Sequence, residues 1–245
     1  MRTVILFSDS MARSDPITAP EALHPSLWFA SQLARSTTRC IDTGYAALSA
    51  QLPGGGWPTG SLVELLLQQS GIGEMRLLHP ALAELKRPIV LLQPPQVPQA
   101  LGLSALGVQP SQLIWVRNTG RTADGQWAAE QALRSGCCGA VLLWDRHVRG
   151  ESLRRLHLAA QSSDTLFCMM RPIQEAQDAS PAPLRLALRG AAGGVQIEFI
   201  KRRGPQRDEP LFLPLTPSTL LRHASVDRPA PAPAPARGIL PAVVG

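Results

Sequence analysis

Lysine is nearly missing from this chain. Of its 24 basic residues only Lys86 and Lys201 are lysines, and the others are arginines. Any chemistry that needs a lysine at a given place therefore has two candidates at most. Aromatic residues make up 4% of the 245 positions, too few for a row of rings on which single-stranded nucleic acid stacks. The four cysteines, Cys40, Cys137, Cys138 and Cys168, do not form a disulfide scaffold. Cys137 and Cys138 are adjacent rather than a CxxC pair, and the five histidines, His24, His79, His147, His157 and His223, are scattered. No metal site is expected. No apolar run approaches the roughly eighteen residues of a membrane span. Charged residues are only 17% of the chain and apolar runs recur, which excludes disorder over the full length. Val4 to Phe7 is a short apolar run closed by Asp9, whereas a secretory core needs roughly seven to fifteen apolar residues. The expectation is a cytoplasmic protein without a signal peptide, and Met11 reads as an alternative start to Met1.

What is present alternates between apolar runs and amphipathic stretches. Residues 11–25 are rich in Pro, Ser and Ala and read as part of a loose arm. Leu27 to Ala34 fits a short helix, and Cys40 to Leu52 a second one. Pro53-Gly54-Gly55-Gly56-Trp57-Pro58-Thr59-Gly60 excludes helix and central strand and reads as a tight connecting loop. Strands are expected at Leu62–Leu67, Ile89–Gln93, Leu113–Val116, Ala140–Trp144 and Thr165–Met170. Helices are expected at Glu74–Lys86, Gln96–Leu106, Ala123–Ser135 and Glu151–Ser162, with Thr122 as a cap and Gly136 as a stop. This grammar predicts an α/β fold on a mainly parallel sheet. Beyond Pro172 the pattern alternates about Gly190–Gly194, predicting antiparallel hairpin strands at the late edge. The expected organisation is an arm over 1–25, a core over 26–222 and a tail over 223–245. The tail runs Pro-Ala-Pro-Ala as a polyproline-type linker to an apolar tip that contains Ile239 and Leu240.

The turn Ser70-Gly71-Ile72-Gly73 stands where a phosphate-binding loop would stand, between a strand and a helix. Such a loop needs Lys and Ser/Thr after its last glycine. Here Glu74 and Met75 follow Gly73, and a carboxylate repels a triphosphate. Glu74 in a first helical turn is instead what the helix dipole favours. Asp145, at the end of Ala140–Trp144, resembles the magnesium-orienting aspartate of a Walker B strand. The competing reading is a strand-end aspartate that caps the next loop. No nucleophile elbow is present, and no catalytic residue is assigned. Arg146, Arg149, Arg154 and Arg155 form one basic cluster, and Lys201, Arg202, Arg203 and Arg207 another. Both read either as solvated faces or as contacts for a nucleic-acid backbone or an acidic partner.

Residues 41–85, and within them LPGGGWPTGSLVELL, closely resemble the ImuA family, RecA-related proteins of bacterial mutagenesis cassettes. The resemblance runs on through GAVLLWD to VQIEFIKRRGPQRDEPLFLPL, over roughly residues 23–216. It implies a RecA-like core of the P-loop NTPase type with a degenerate nucleotide loop, and a part in SOS-induced, error-prone translesion DNA synthesis. The implied partners are an inactive Y-family polymerase relative (ImuB), an error-prone C-family DNA polymerase, and RecA. RecA's catalytic residues do not carry over: Glu74 and Met75 replace lysine and hydroxyl, and Leu91 to Gln96 holds no carboxylate. Only Asp145 persists, so no ATPase activity and no cofactor are expected. A residual nucleotide-binding switch and a SulA-like inhibitor of cell division are the alternatives. Arg154, Arg155, Lys201, Arg202, Arg203, Ile239 and Leu240 are the candidate contacts with partners or DNA.

Overall fold

The computed structural model describes residues 39–117, 122–204 and 207–215. The expected arm, the helix at Leu27–Ala34, the tail with Ile239 and Leu240, and the Thr122 side chain lie outside the described residues.

The chain opens with β1 (Cys40–Asp42), α1 (Ala46–Ser49), a 3-10 turn (Pro53–Gly55) and β2 (Gly56–Pro58). β3 (Ser61–Leu67), α2 (Glu74–Ala83), β4 (Ile89–Leu92), α3 (Ala100–Ala105) and β5 (Leu113–Val116) follow. Then come α4 (Thr122–Ser135), β6 (Ala140–Trp144), α5 (Gly150–Gln161), β7 (Leu166–Pro172) and a 3-10 turn (Ile173–Gln177). The last elements are β8 (Leu184–Ala191), β9 (Gly194–Lys201) and β10 (Leu211–Pro214).

One eight-stranded sheet has the order β10-β9-β8-β3-β7-β6-β4-β5. The strands from β8 to β5 are parallel, and β9 and β10 add antiparallel pairing at one edge. Alternation divides each central strand between two cores. Val63, Leu65, Leu142 and Cys168 pack with α1, α2 and α3 through Leu48, Leu77 and Leu103. Leu62, Val141, Leu143 and Phe167 pack with α4 and α5 through Leu133, Leu153 and Leu156. The product is α/β, with helices on both faces of a mostly parallel sheet.

Two early readings are corrected. Cys40 to Leu52 is not one helix. Asp42 Oδ1 accepts hydrogen bonds from Gly44 N and Ser49 Oγ, and Thr43 Oγ1 accepts one from Tyr45 N. These side chains satisfy the backbone of a turn in place of a helix, leaving a three-residue strand before the four-residue α1. Nor is Pro53–Gly60 loop throughout. Gly56 to Pro58 pairs antiparallel with β1, and a Cβ at Gly56 would strike the Ile41 carbonyl. Glycine there is what lets the two strands close into a ribbon outside the main sheet.

α2 carries Pro80 in its interior. A proline there removes the hydrogen bond to the Arg76 carbonyl four residues earlier. That carbonyl accepts instead from Tyr45 Oη at 2.7 Å, with His79 Nδ1 also 2.7 Å away. The only tyrosine in the chain thus bridges α1 to the weakened helix. α2 ends at Ala83, earlier than Lys86, and α3 covers only part of Gln96–Leu106, because Pro94, Pro95 and Pro98 hold the segment before it extended.

Candidate functional site

β3, β4, β6 and β7 end side by side, and the loops beyond them enclose a cleft of about 710 Å³. Ligands of open α/β sheets gather at this end. Gln68, Ser70, Asp145, Arg146, His147 and Arg171 contribute to its lining.

The loop from β3 to α2 forms its wall, and Gly73, at φ +130°, begins the helix. In this conformation the backbone amides of Gly71 and Gly73 converge, as anion-cradling amides do. They are already taken. The Glu74 carboxylate accepts the Gly71 N–H at 2.9 and 3.1 Å and the Gly73 N–H at 3.3 Å. Glu74 is buried, while Ser70 and Gly71 are exposed. Met75 packs partly against the core and presents no hydroxyl. The carboxylate that the sequence sets at this position therefore serves as the loop's own internal anion.

Asp145 is buried and fully engaged. Its Oδ2 accepts from Gln126 Nε2 at 2.8 Å, and its Oδ1 accepts from the His147 N–H at 3.1 Å. Burial pushes its carboxyl above the usual range, and the two hydrogen bonds oppose this. These bonds cap the loop after β6 and tie Asp145 to α4.

Beneath the cleft lies a charged cluster that sequence reasoning missed. Glu64, in the middle of β3, is completely buried. It receives Arg171 Nη1 at 3.3 Å, Arg185 Nε at 2.6 Å and Ser180 Oγ at 2.9 Å. Arg171 also reaches Glu175 at 2.6 Å, and Arg185 donates to the carbonyls of Glu175 and Ala176. Burial raises the Glu175 carboxyl, and a hydrogen bond with Asp178 adds to that. The signal was available as one carboxylate inside an apolar strand, with arginines in the two strands that flank it. Arg171 Nε and Trp144 Nε1, on residues of the same cleft, are buried without a hydrogen-bond partner.

The predicted basic contacts have separate surroundings. Arg155 pairs with Glu130 at 2.9 Å, so it braces α5 against α4. Lys201 Nζ donates to the Ser180 carbonyl, and Arg202 donates to the Gln51 carbonyl while its guanidinium lies 5.1 Å over the Phe199 ring. Arg154 is exposed on α5, and Arg203 lines a second, smaller cleft at the opposite end of β3. Cys137 and Cys138 stand with sulfurs 3.7 Å apart, and no group of three or more metal-binding side chains occurs among the described residues. No described helix is long and apolar enough to cross a membrane. The chain matches no family model and no curated protein.

Proposed function

We propose that this protein is a non-catalytic adaptor on a RecA-like scaffold, an ImuA-like accessory factor of SOS-induced translesion synthesis. Its partners in this reading are an ImuB-like polymerase relative, an error-prone C-family polymerase and RecA. The reading of partners and pathway rests on the resemblance of residues 41–85 and of the later segments to that family. Glu74 carries the non-catalytic half. Its carboxylate accepts the loop amides that a nucleotide phosphate would need, from Gly71 and Gly73. A phosphate group would have to displace this internal anion without a lysine to draw it in, and Asp145 is already bonded to Gln126 and the His147 amide. The protein then works through surfaces and not through turnover.

Two measurements test this. Titration of ATP with magnesium should give no saturable binding in the micromolar range and no hydrolysis above a buffer blank. Hydrolysis that disappears in Asp145→Ala would overturn the non-catalytic reading. Affinity capture with the tagged protein should retain RecA and the ImuB-like protein encoded by the same genome. Retention of neither would remove the adaptor reading.

A further inference from the structure

The second cleft has a volume of about 200 Å³ and sits at the amino-terminal end of β3, opposite the Glu74 loop. Pro53, Pro58, Pro181 and Pro183 supply much of its wall. Their fixed backbone makes the recess preformed, so little conformational freedom is lost when it is filled. Beside the apolar Leu184, the rest of the wall holds the polar side chains of Thr59, Ser61, His157 and Gln161 of α5, and Arg203.

Three features of that wall point to the same kind of occupant. Ser61 is 8% exposed, and its hydroxyl is buried without a hydrogen-bond partner. A buried hydroxyl left unpaired is unfavourable and awaits an acceptor or donor from outside. Arg203 is exposed and has no partner among the described residues. His157 Nδ1 accepts the Leu62 N–H at 3.3 Å, which puts the ring proton on Nε2, so the Gln161 amide 3.2 Å away turns its oxygen to accept that proton and its NH2 outward as a donor. Desolvation, then Lys201 and Arg203, hold this imidazole below its ordinary pKa, and no carboxylate offsets them. Among the described residues, the charges that act on this imidazole are both cationic.

We propose that this cleft binds a carboxylate side chain from an acidic segment of a partner protein, with Arg203, the Ser61 hydroxyl and the His157–Gln161 edge as its receptors. The dimensions favour one inserted head group. A nucleic-acid backbone needs a rank of uncommitted cations, yet Arg202 and Lys201 beside the cleft are engaged with Gln51 and Ser180. An arginine whose guanidinium has no partner among the described residues, set in a preformed recess, suits a carboxylate, and the net charge of +6 steers acidic partners toward the chain. This proposal stands apart from the polymerase-accessory reading, since the cleft is at the far end of the sheet from the Glu74 loop.

The test uses the full chain and a fluorescein-labelled oligoglutamate peptide, with a labelled oligothymidylate as the competing probe. Anisotropy should show saturable binding of the peptide. Arg203→Gln should weaken it about tenfold, whereas Arg154→Gln, an exposed cation elsewhere on α5, should leave it nearly unchanged. Ser61→Ala should weaken the peptide without lowering the melting temperature, because the hydroxyl has no internal partner to lose. The His157 ring resonances should move on titration with the peptide. No binding, equal losses in Arg203→Gln and Arg154→Gln, or full binding by Ser61→Ala would each overturn the site. Stronger perturbation of His157 by oligothymidylate than by the peptide would reassign the cleft to nucleic acid and overturn the proposal as stated.

Discussion

Two glutamates show how context decides what a carboxylate does. Glu74 begins a helix and turns back onto the two glycine amides before it. Its role was legible in the sequence, because a helix start favours an acidic residue and a phosphate loop excludes one. Glu64 was legible only in part. An apolar strand with one acid in it reads as buried by pattern, and its compensating arginines lie more than a hundred residues away. Only the parallel pairing of β3 with both β7 and β8 sets them beside it. The consequence is energetic. Arg171 and Arg185 are both buried, so removing the charge of Glu64 leaves two guanidiniums with weakened compensation. Glu64→Gln should destabilise the fold by about 3–5 kcal/mol, measured by urea unfolding at neutral pH. A loss within about 0.5 kcal/mol, the range of an ordinary surface substitution, would show that water or a rearranged partner already neutralises the cluster.

At the scale of elements, the parallel strands were legible wherever an apolar run lay between amphipathic stretches. β6 is the clearest case, with Leu142 fully buried and Trp144 nearly so. The β1–β2 ribbon was not legible, because proline and a run of glycines there erase both periodicities. β10 escaped as well. Its four residues alternate, with Leu213 buried and Phe212 exposed, but Pro214 ends it and reads as a break. The seam between α5 and β3 yields a prediction of its own. His157 must be neutral at Nδ1 to accept the Leu62 N–H, and desolvation with Lys201 and Arg203 depresses its folded pKa. Its contribution to stability is present above the unfolded value near 6.5. It is lost as pH falls through the lower folded value, since the unfolded chain then takes up the proton more readily. The raised Asp145 and Glu175 carboxyls shift toward the same window with the opposite sign, so the comparison with a His157 variant isolates the share of the imidazole. Melting temperature should therefore drop between about pH 7 and pH 5, and His157→Gln should flatten that drop. An equal slope in both proteins would assign the effect elsewhere.

Across the whole molecule, the two ends of the sheet differ in character. One end holds the Glu74 loop with its amides internally satisfied, and the other holds the cationic recess by Arg203. The described core ends at Leu215, whose Cδ1 lies so close to Gly73 that a Cβ there would approach it to 2.7 Å. The last described residue thus packs beside the Glu74 loop. The sequence that follows runs Pro-Ala-Pro-Ala from Pro229 to Ile239, Leu240 and Val244, a composition that favours an extended linker of about 3.1 Å per residue ahead of a small apolar tip. A tip of this size cannot form a core alone, but it can supply the anchors of a strand or groove contact on another protein. The two hydrophobic clusters of the described residues are built from positions up to Leu215. Deleting residues 229–245 should accordingly leave the melting temperature within about 1 °C of the intact chain, since none of the described core residues is removed. The same deletion should weaken capture of RecA or of the ImuB-like protein at least several-fold, measured by pull-down at fixed ionic strength. Combining it with Arg203→Gln distinguishes one interface from two. Losses that add in free energy place the tip and the recess on independent contacts, and a double variant no weaker than the worse single variant places them on one partner surface. Undiminished capture by the truncated chain would show that the tip is not an interaction element.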